Sequence, residues 1–183
     1  ASTYAVSPLD FEGIVPKMLV KVGDAVKAGT PLFFNKNNAS VVFTSPVSGS
    51  VAAVVRGEKR RILAVEITAD QTIAYEEFET LDVAKATRDQ IVELLLKSGL
   101  WTLLVQRPYG IIANPADMPK SIFVSAFDSA PLAPDYGYTL AADKQALQKG
   151  FEVLARLTTG KVHLSYNAQA EALEIENEKK KGE

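Results

Sequence analysis

The 183-residue sequence predicts a mixed α+β fold, with a β domain over residues 1–75 and an α/β domain over residues 76–183. Two observations support this prediction. In the first part, apolar and polar residues alternate on either side of glycine turns, which is typical of short, half-buried strands. In the second part, a helical stripe of apolar residues separates two short strand patterns, which is typical of an α/β unit.

The β domain is organised around an internal repeat that runs from Ile14 to Ile67. Three residues of the second copy match three of the first at a constant offset of 34 (54 minus 20). The matched pairs are Val20 and Val54, Gly23 and Gly57, and Asp24 and Glu58. A Ser45-Pro46-Val47-Ser48-Gly49 turn joins the copies, with proline fixing φ and glycine free to adopt positive φ. Two β half-motifs joined in this way resemble the barrel-sandwich hybrid of biotinyl and lipoyl domains.

Within this domain we expect only short strands, from residue 14 to about residue 69; residues 1–13 carry no clear pattern. The segment Asn35–Asn38 is predicted to be a loop, since asparagine tolerates left-handed conformations and bonds its own backbone. The segment Arg56–Arg61 is the equivalent turn of the second half. Ile62–Thr68 alternates in polarity, which predicts a strand exposed on one face.

The first helix is predicted to begin near Thr87, with Asp89 placed favourably for the helix dipole. Its apolar stripe consists of Ile91, Leu94, Leu95 and Ser98, and Gly99 stands at the position of a C-cap glycine. The following segment, residues 100–105, has two open interpretations: it continues the helix, or it bends into the core.

The remaining α/β elements follow in order. Ser121–Phe127 is predicted as a strand buried on both faces, which favours a parallel sheet. A long loop over Asp128–Tyr138 leads to a helix over Ala142–Thr158, lined by Leu147, Phe151, Leu154 and Leu157, and then to a strand over Lys161–Tyr166. We expect a right-handed crossover in a truncated Rossmann-like domain. The charged tail, residues 174–183, is expected to be exposed.

Composition excludes several classes of function. The net charge of −2 gives no field that would attract nucleic acid. The sequence has no cysteine and a single histidine, so it cannot form disulfides, thiolate zinc sites, cysteine nucleophiles or iron–sulfur clusters by itself. No apolar run is long enough to span a bilayer.

Several segments, taken in order, resemble the A subunit of the bacterial sodium-translocating NADH:quinone oxidoreductase. They include Pro16-Lys17-Met18, Val20–Phe33, Phe43–Gly49, Arg56–Arg60, Ser98–Thr102, Arg107-Pro108-Tyr109, Ile122–Leu132 and Gly150–His163. The resemblance implies a fragment of a peripheral subunit on the cytoplasmic face of the bacterial inner membrane, which takes part in sodium transport within a translocase. It implies partner subunits that carry the flavins, the iron–sulfur centre and the NADH site, with ubiquinone as electron acceptor. No flavin or metal is expected on this chain, and the fragment alone is expected to be inactive.

The resemblance also implies distant kinship with the NADH- and FMN-binding subunit of respiratory complex I. That subunit has a glycine-rich loop after a Ser-Gly-Leu-like helix end, and the loop receives the nucleotide. Here Ser98-Gly99-Leu100 is followed by Trp101 and other bulky residues, which would keep backbone N–H groups away from phosphate. We therefore expect that the domain kept this fold and lost nucleotide binding.

The candidate contact residues each have a structural and a functional interpretation. Arg56, Lys59, Arg60 and Arg61 form a basic turn that is either simply solvated or binds an acidic partner surface or lipid headgroups. Trp101, Arg107 and Tyr109 combine a ring, a cation and a hydroxyl, which could hold a quinone headgroup. The favoured alternative for these three is a core-edge tryptophan and a buried arginine that holds a loop.

Other residues are weighed against a catalytic role. His163, at a strand end, is interpreted as structural rather than as a proton donor. Asp128 and Asp135 lie where α/β folds bind ligands, but no second carboxylate cluster accompanies them, so no residue is assigned to catalysis. The chain's own role is structural and docking, or quinone-related, and the sequence leaves both open.

Two further functions stay open. One is a lipoyl- or biotinyl-like carrier domain modified at Lys36 and fused to an α/β domain, although Asn35 stands where lipoyl domains have aspartate and the loop is expected to be too long. The other is a scaffold subunit of a related Rnf-type electron-transfer complex. Cysteine-rich ferredoxin-like segments elsewhere in the full-length chain would decide for the Rnf type.

Overall fold

A computed structural model describes residues 2–166 of the chain. The described chain divides into two compact units, which are considered separately. The first unit holds the residues up to Leu81 together with Val92–Asp117, and the second holds Asp82–Ile91 together with the residues from Met118 on. The sequence-based boundary between residues 75 and 76 stays a prediction. The predicted charged tail, residues 174–183, lies outside the described residues.

The first unit contains the strands β1 to β9. Their bounds are Thr3–Val6 (β1), Pro16–Met18 (β2), Ala25–Val26 (β3), Pro31–Asn35 (β4), Asn38–Thr44 (β5), Gly49–Arg56 (β6), Ile62–Ala69 (β7), Val105–Gln106 (β8) and Ile111–Ile112 (β9). A four-stranded sheet has the order β1-β7-β6-β3, and a three-stranded sheet has the order β2-β4-β5. Strands β8 and β9 form a separate antiparallel hairpin. These small sheets confirm the predicted barrel-sandwich part of the fold.

The core of this unit is formed by side chains from both larger sheets. Leu32 and Phe33 of β4 are fully buried, as are Val65 and Ile67 of β7. The ring of Phe33 stacks on that of Phe43, with centroids 4.7 Å apart and an interplanar angle of 15°. Stacked aromatic pairs add to the stabilisation from burial alone, so β4 and β5 are held together by side chains as well as by their ladder.

The β domain differs from the sequence analysis in two places: one strand was not predicted, and one loop is shorter than expected. Residues 1–13 contain a strand, β1, which pairs antiparallel with β7 from Thr3↔Thr68 to Val6↔Val65. Its first three residues are exposed, so the sequence carries no alternation of buried and exposed positions there. The Asn35–Asn38 segment is not a long loop, because Asn35 pairs with Asn38 and only two residues form the turn between them.

Helix α1 covers Arg88–Lys97 and begins where the sequence predicts. Thr87 caps it: the Thr87 hydroxyl oxygen accepts the N–H of Gln90 at 3.3 Å, and the Gln90 side-chain oxygen accepts the N–H of Thr87 at 2.9 Å. This reciprocal pair is a capping box. Gly99 has a φ of 77° and ends the helix in the left-handed conformation, as predicted.

The segment after Gly99 bends rather than continuing as an α-helix. Leu100–Leu103 forms a short 3₁₀ turn, and the chain then enters β8. The loop between β8 and β9 begins with a cis peptide bond between Arg107 and Pro108. The second of the two open interpretations is therefore confirmed.

In the second unit, β10 (Ser121–Ala126) pairs with β11 (Lys161–Tyr166), and α2 (Tyr136–Leu140) and α3 (Lys144–Arg156) lie between them in sequence. The two strands are parallel, so the predicted strand–helix–strand unit is confirmed. Helix α3 packs on β11. The predicted long loop over Asp128–Tyr138 contains the start of α2, because the Asp135 carboxylate accepts the N–H groups of Gly137 and Tyr138 and caps this helix.

The prediction that the strand over Ser121–Phe127 is buried on both faces was wrong. Phe123 is 76% exposed, and its ring stacks on that of His163 in the neighbouring strand, with centroids 4.7 Å apart. Only two strands form this sheet within residues 2–166. A continuous apolar run marks a strand with two covered faces only when other elements cover them, and the face that carries Phe123 has no such cover among these residues.

Candidate functional site

An open groove of about 450 Å³ lies in the first unit beside the end of β2. It is lined by Met18, Leu19, Val20, Lys21, Val22, Val54 and Arg56. Leu19 is 52% exposed and Val22 is 62% exposed, although both side chains are apolar. The groove therefore presents aliphatic surface to solvent between two cationic residues, Lys21 and Arg56.

The groove is built from equivalent points of the internal repeat. Val20 and Val54 both line it, and so do Val22 and Arg56, which share the same offset. Backbone hydrogen bonds tie the first-half turn to β6: the N–H of Gly23 donates to the carbonyl of Val51 at 2.8 Å, and the N–H of Val51 donates to the carbonyl of Asp24 at 2.9 Å. This reciprocal pair fixes the position of one groove wall on a central strand.

The predicted basic turn connects β6 to β7. Its first residue, Arg56, also lines the groove. Lys59 and Arg60 have φ values of 53° and 62°, a left-handed conformation that is uncommon for residues with a side chain. The guanidinium of Arg56 donates to the carbonyl of Arg60 at 3.2 Å. Arg56, Lys59, Arg60 and Arg61 are all exposed, and within residues 2–166 no carboxylate lies within 4.0 Å of their charged groups.

The structure separates the three quinone candidates by burial. Trp101 is only 3% exposed, and its indole N–H donates to the carbonyl of Ala113 at 2.8 Å. Arg107 is exposed, and Tyr109 is 70% exposed, both in the loop between β8 and β9. The core interpretation of Trp101 is supported, but the expectation of a buried arginine was wrong, because the hairpin projects Arg107 into solvent.

The position at which a glycine-rich phosphate loop would stand is filled by packed side chains. A Cβ on Gly99 would lie 2.8 Å from Cγ2 and Oγ1 of Thr44, so this glycine allows close packing against β5. Trp101 and Thr102, which follow, are buried. A phosphate cradle needs several backbone N–H groups open to a ligand, and this arrangement does not fit one.

The residues weighed for other chemistry have local structural roles. Asp128 accepts the N–H of Ala130 at 2.9 Å, Asp135 caps α2, and His163 stacks on Phe123. Asp128, Asp135 and His163 do not form a cluster of ligating groups. Within residues 2–166, no group of three or more His, Cys, Asp or Glu residues is placed to hold a metal ion.

Lys36 is exposed at the tip of the two-residue turn between β4 and β5. Its backbone N–H donates to the carbonyl of Val15 at 2.8 Å, which fixes the turn. The argument that this loop is too long for a carrier lysine is therefore wrong.

The groove near Met18 was missed in the sequence, although the shared offset of Val20 and Val54 was the signal that could have located it.

Comparison with known proteins gives matches along nearly the whole chain. Residues 1–70 match the family model described as the NqrA N-terminal barrel-sandwich hybrid domain, and residues 86–181 match that of the NqrA second alpha/beta domain. Among the described residues, no helix has the length and apolar character needed to cross a membrane.

Three relatives are each named as the A subunit of a Na(+)-translocating NADH-quinone reductase. The Photorhabdus laumondii protein is 42% identical over 161 residues, which are 87% of this chain and 36% of the relative. The Cellvibrio japonicus protein is 40% identical over 168 residues, 91% of this chain and 37% of the relative. The Tolumonas auensis protein is 42% identical over 158 residues, 85% of this chain and 35% of the relative. The chain thus spans about a third of the length of these curated relatives.

Proposed function

This chain belongs to the NqrA family, the A subunits of the Na(+)-translocating NADH-quinone reductases, and we propose on that premise that its full-length protein is a working subunit of such a complex. The observation that carries the proposal is the ordered match of both NqrA domains, with about 40% identity to named relatives. The electron transfer proposed for the complex runs from NADH to a quinone.

The proposed location is peripheral, on the cytoplasmic face of the bacterial inner membrane. Membrane-embedded steps, including sodium translocation, are assigned to other subunits, because moving a cation through a bilayer needs polar groups inside the membrane. The role assigned to this chain is docking on those subunits.

The cofactors of the reaction are assigned to the partner subunits. Support comes from the segment at Gly99, where a Cβ on the glycine would lie 2.8 Å from Thr44 and the following Trp101 is buried, which leaves no open glycine-rich loop for a nucleotide phosphate. The 183 residues contain no cysteine, so they supply no thiolate ligand to an iron–sulfur centre.

Docking is favoured over direct quinone contact because one of the three quinone candidates, Trp101, is buried and already hydrogen-bonded. The indole N–H of Trp101 already has a partner in Ala113, and its ring is buried. Arg107 and Tyr109 are exposed and available, so a quinone-related role for this loop is the second candidate. The basic turn and the groove beside it are the surface proposed for docking.

Two functions of other classes are kept as alternatives. A carrier role requires covalent modification of Lys36, and the two-residue turn at this lysine favours keeping the alternative. Intact-mass measurement on the protein from its native host tests it directly, since an unmodified chain contradicts it. The Rnf-type scaffold is tested by the sequence of the full-length protein, where cysteine-rich ferredoxin-like segments would support it.

The test of the proposal is co-purification. A tag on the full-length protein should bring down flavin-containing membrane subunits from detergent-solubilised host membranes. Recovery of the tagged protein alone, from membranes in which the other subunits are present, would contradict the proposed docking role.

A further inference from the structure

We propose that the groove beside β2 and the basic turn next to it form one binding surface for an extended acidic segment of a partner protein. The surface, called the basic groove below, consists of Met18–Val22, Val54 and the turn Arg56–Arg61. The identity of the partner as another reductase subunit rests on the proposed function. The chemistry of the segment rests on the groove itself.

The apolar floor of the basic groove supplies the first part of the argument. Leu19 and Val22 expose about half or more of their surface, and they border a concavity large enough for one or two aliphatic side chains. Removing apolar surface from water favours association. The occupant is therefore expected to place aliphatic side chains between Val20 and Val54.

The charge of the rim supplies the second part. The basic groove contains five cationic residues and one carboxylate, in a chain whose net charge is −2. The cations are Lys21, Arg56, Lys59, Arg60 and Arg61, and the carboxylate is Glu58; Asp24 lies two positions beyond Val22. None of the five cations has an ion-pair partner within the described part of the chain. A locally positive rim on an acidic chain favours an anionic occupant.

The turn is also preorganised for binding. Lys59 and Arg60 are held in left-handed conformations, and the carbonyl of Arg60 accepts a hydrogen bond from the Arg56 guanidinium. The N–H of Gly57 donates to the carbonyl of Arg61 at 2.8 Å and closes the turn. A backbone that is already fixed loses less conformational entropy on binding, so these cations can contact carboxylates without reordering the loop.

The shape of the surface favours a protein segment over a membrane. Its apolar side chains line a concavity, whereas surfaces that insert into lipid headgroups project apolar and aromatic side chains outward. The residues that line the groove are aliphatic or cationic, with no aromatic side chain among them. Aromatic belts are typical of the membrane interface, and this surface has none.

The test is photo-crosslinking in intact host cells that express the full-length protein. A photoreactive amino acid replaces Val22, which lines the groove and is 62% exposed. Mass spectrometry then identifies the cross-linked segment. The expected product is a protein segment that carries at least two carboxylates beside an aliphatic residue.

Charge reversal supplies the specificity control. The double variant Arg56→Glu and Arg61→Glu is expected to lower the yield of the cross-link at least about tenfold, since two attractive contacts become repulsive. The matched control is Lys120→Glu with Lys144→Glu, which makes the same charge change at exposed positions outside the groove. The control is expected to leave the yield unchanged, and circular dichroism of both variants checks that each is folded.

The outcomes separate this inference from the proposed function. A cross-link to an acidic segment of a reductase subunit, lost only in the groove variant, supports both. A cross-link to an acidic segment of an unrelated protein, with the same loss, supports the groove and contradicts the proposed complex. Cross-linking to lipid or to a segment without carboxylates, an equal loss in the control, or no cross-link overturns the inference; co-purification then decides the proposed function separately.

Discussion

Val20 and Val54 line the same groove although 34 positions (54 minus 20) separate them in the sequence. They occupy equivalent points of the internal repeat, so the fold brings the two turn segments of the repeat to one place. The next equivalent pair differs in chemistry, because Val22 of the first copy corresponds to Arg56 of the second. The repeat thus supplies the shape of the groove, and the difference between its copies supplies the charge.

Substitution of Trp101 tests the core interpretation of this residue. Because Trp101 is buried, Trp101→Ala is expected to lower the free energy of unfolding by about 3–5 kcal/mol. Trp101→Phe is expected to cost about 1–3 kcal/mol, since it leaves the carbonyl of Ala113 without its donor. Urea denaturation measures both. Leu103→Ala, at a mostly exposed position, is the control and should stay within about 0.5 kcal/mol of the parent chain.

Two glycine-to-alanine substitutions are expected to change the free energy of unfolding in opposite directions. A Cβ on Gly49 would lie 1.9 Å from the carbonyl oxygen of Thr68, so Gly49→Ala must displace β6 from β7 and should cost at least about 2 kcal/mol. Gly150 lies in α3 with no atom within 4 Å of the new Cβ, so Gly150→Ala should stabilise by about 0.5–1 kcal/mol. Thermal denaturation of both variants checks the signs, and an unchanged melting temperature for Gly49→Ala would contradict this account of β6.

The ion pair between Lys97 and Glu93 on α1 predicts a pH effect. The hydrogen bond and the charge of Glu93, 2.9 Å away, raise the pKa of Lys97 above its ordinary value of 10.5. Because the folded-state pKa lies above the unfolded one, the contribution to stability is complete below the unfolded pKa and is lost as pH rises through the folded pKa. Glu93→Gln should lower the pKa of Lys97 in an NMR titration. A pKa that does not move would contradict the pairing.

Nucleotide addition tests the loss of a phosphate site after Gly99. Saturating NADH or FMN is expected to leave the melting temperature of the full-length protein unchanged. A ligand at 100 times its Kd would add about 2.7 kcal/mol, which corresponds to roughly 5–10 °C for the unfolding of a domain of about 150–250 residues. A shift of that size would show that another part of the protein, or a different geometry after Gly99, holds the nucleotide.

The elements that the sequence predicted correctly are those with a strong local signal. Thr87 and Gly99 bracket α1 because capping residues act on their own neighbours. The repeat around Val20 and Val54 located the β domain, and the apolar stripe through Leu147 located α3. In each case the determining contacts lie within a few residues or within one repeated motif.

The elements that were missed depend on distant partners. Strand β1 exists because Thr3–Val6 adds to the edge of β7, more than 50 positions later (Thr3 pairs with Thr68), and its own residues are mostly exposed. The exposure of Phe123 follows from the number of strands in its sheet, which no residue of β10 encodes. The basic turn was predicted because its charged residues are consecutive in the sequence. The groove beside it was missed because it forms only when two segments 34 positions apart come together in the fold.

The most direct test of the central claim is the activity of host membranes with and without the full-length protein. Deleting its gene should abolish sodium-stimulated NADH:quinone reductase activity in isolated membranes, and expressing the tagged protein from a plasmid should restore it. The activity should also appear in the eluate of the tagged protein. Undiminished sodium-stimulated activity in the deletion strain would contradict the assignment to this complex, and the carrier test on Lys36 would then come first.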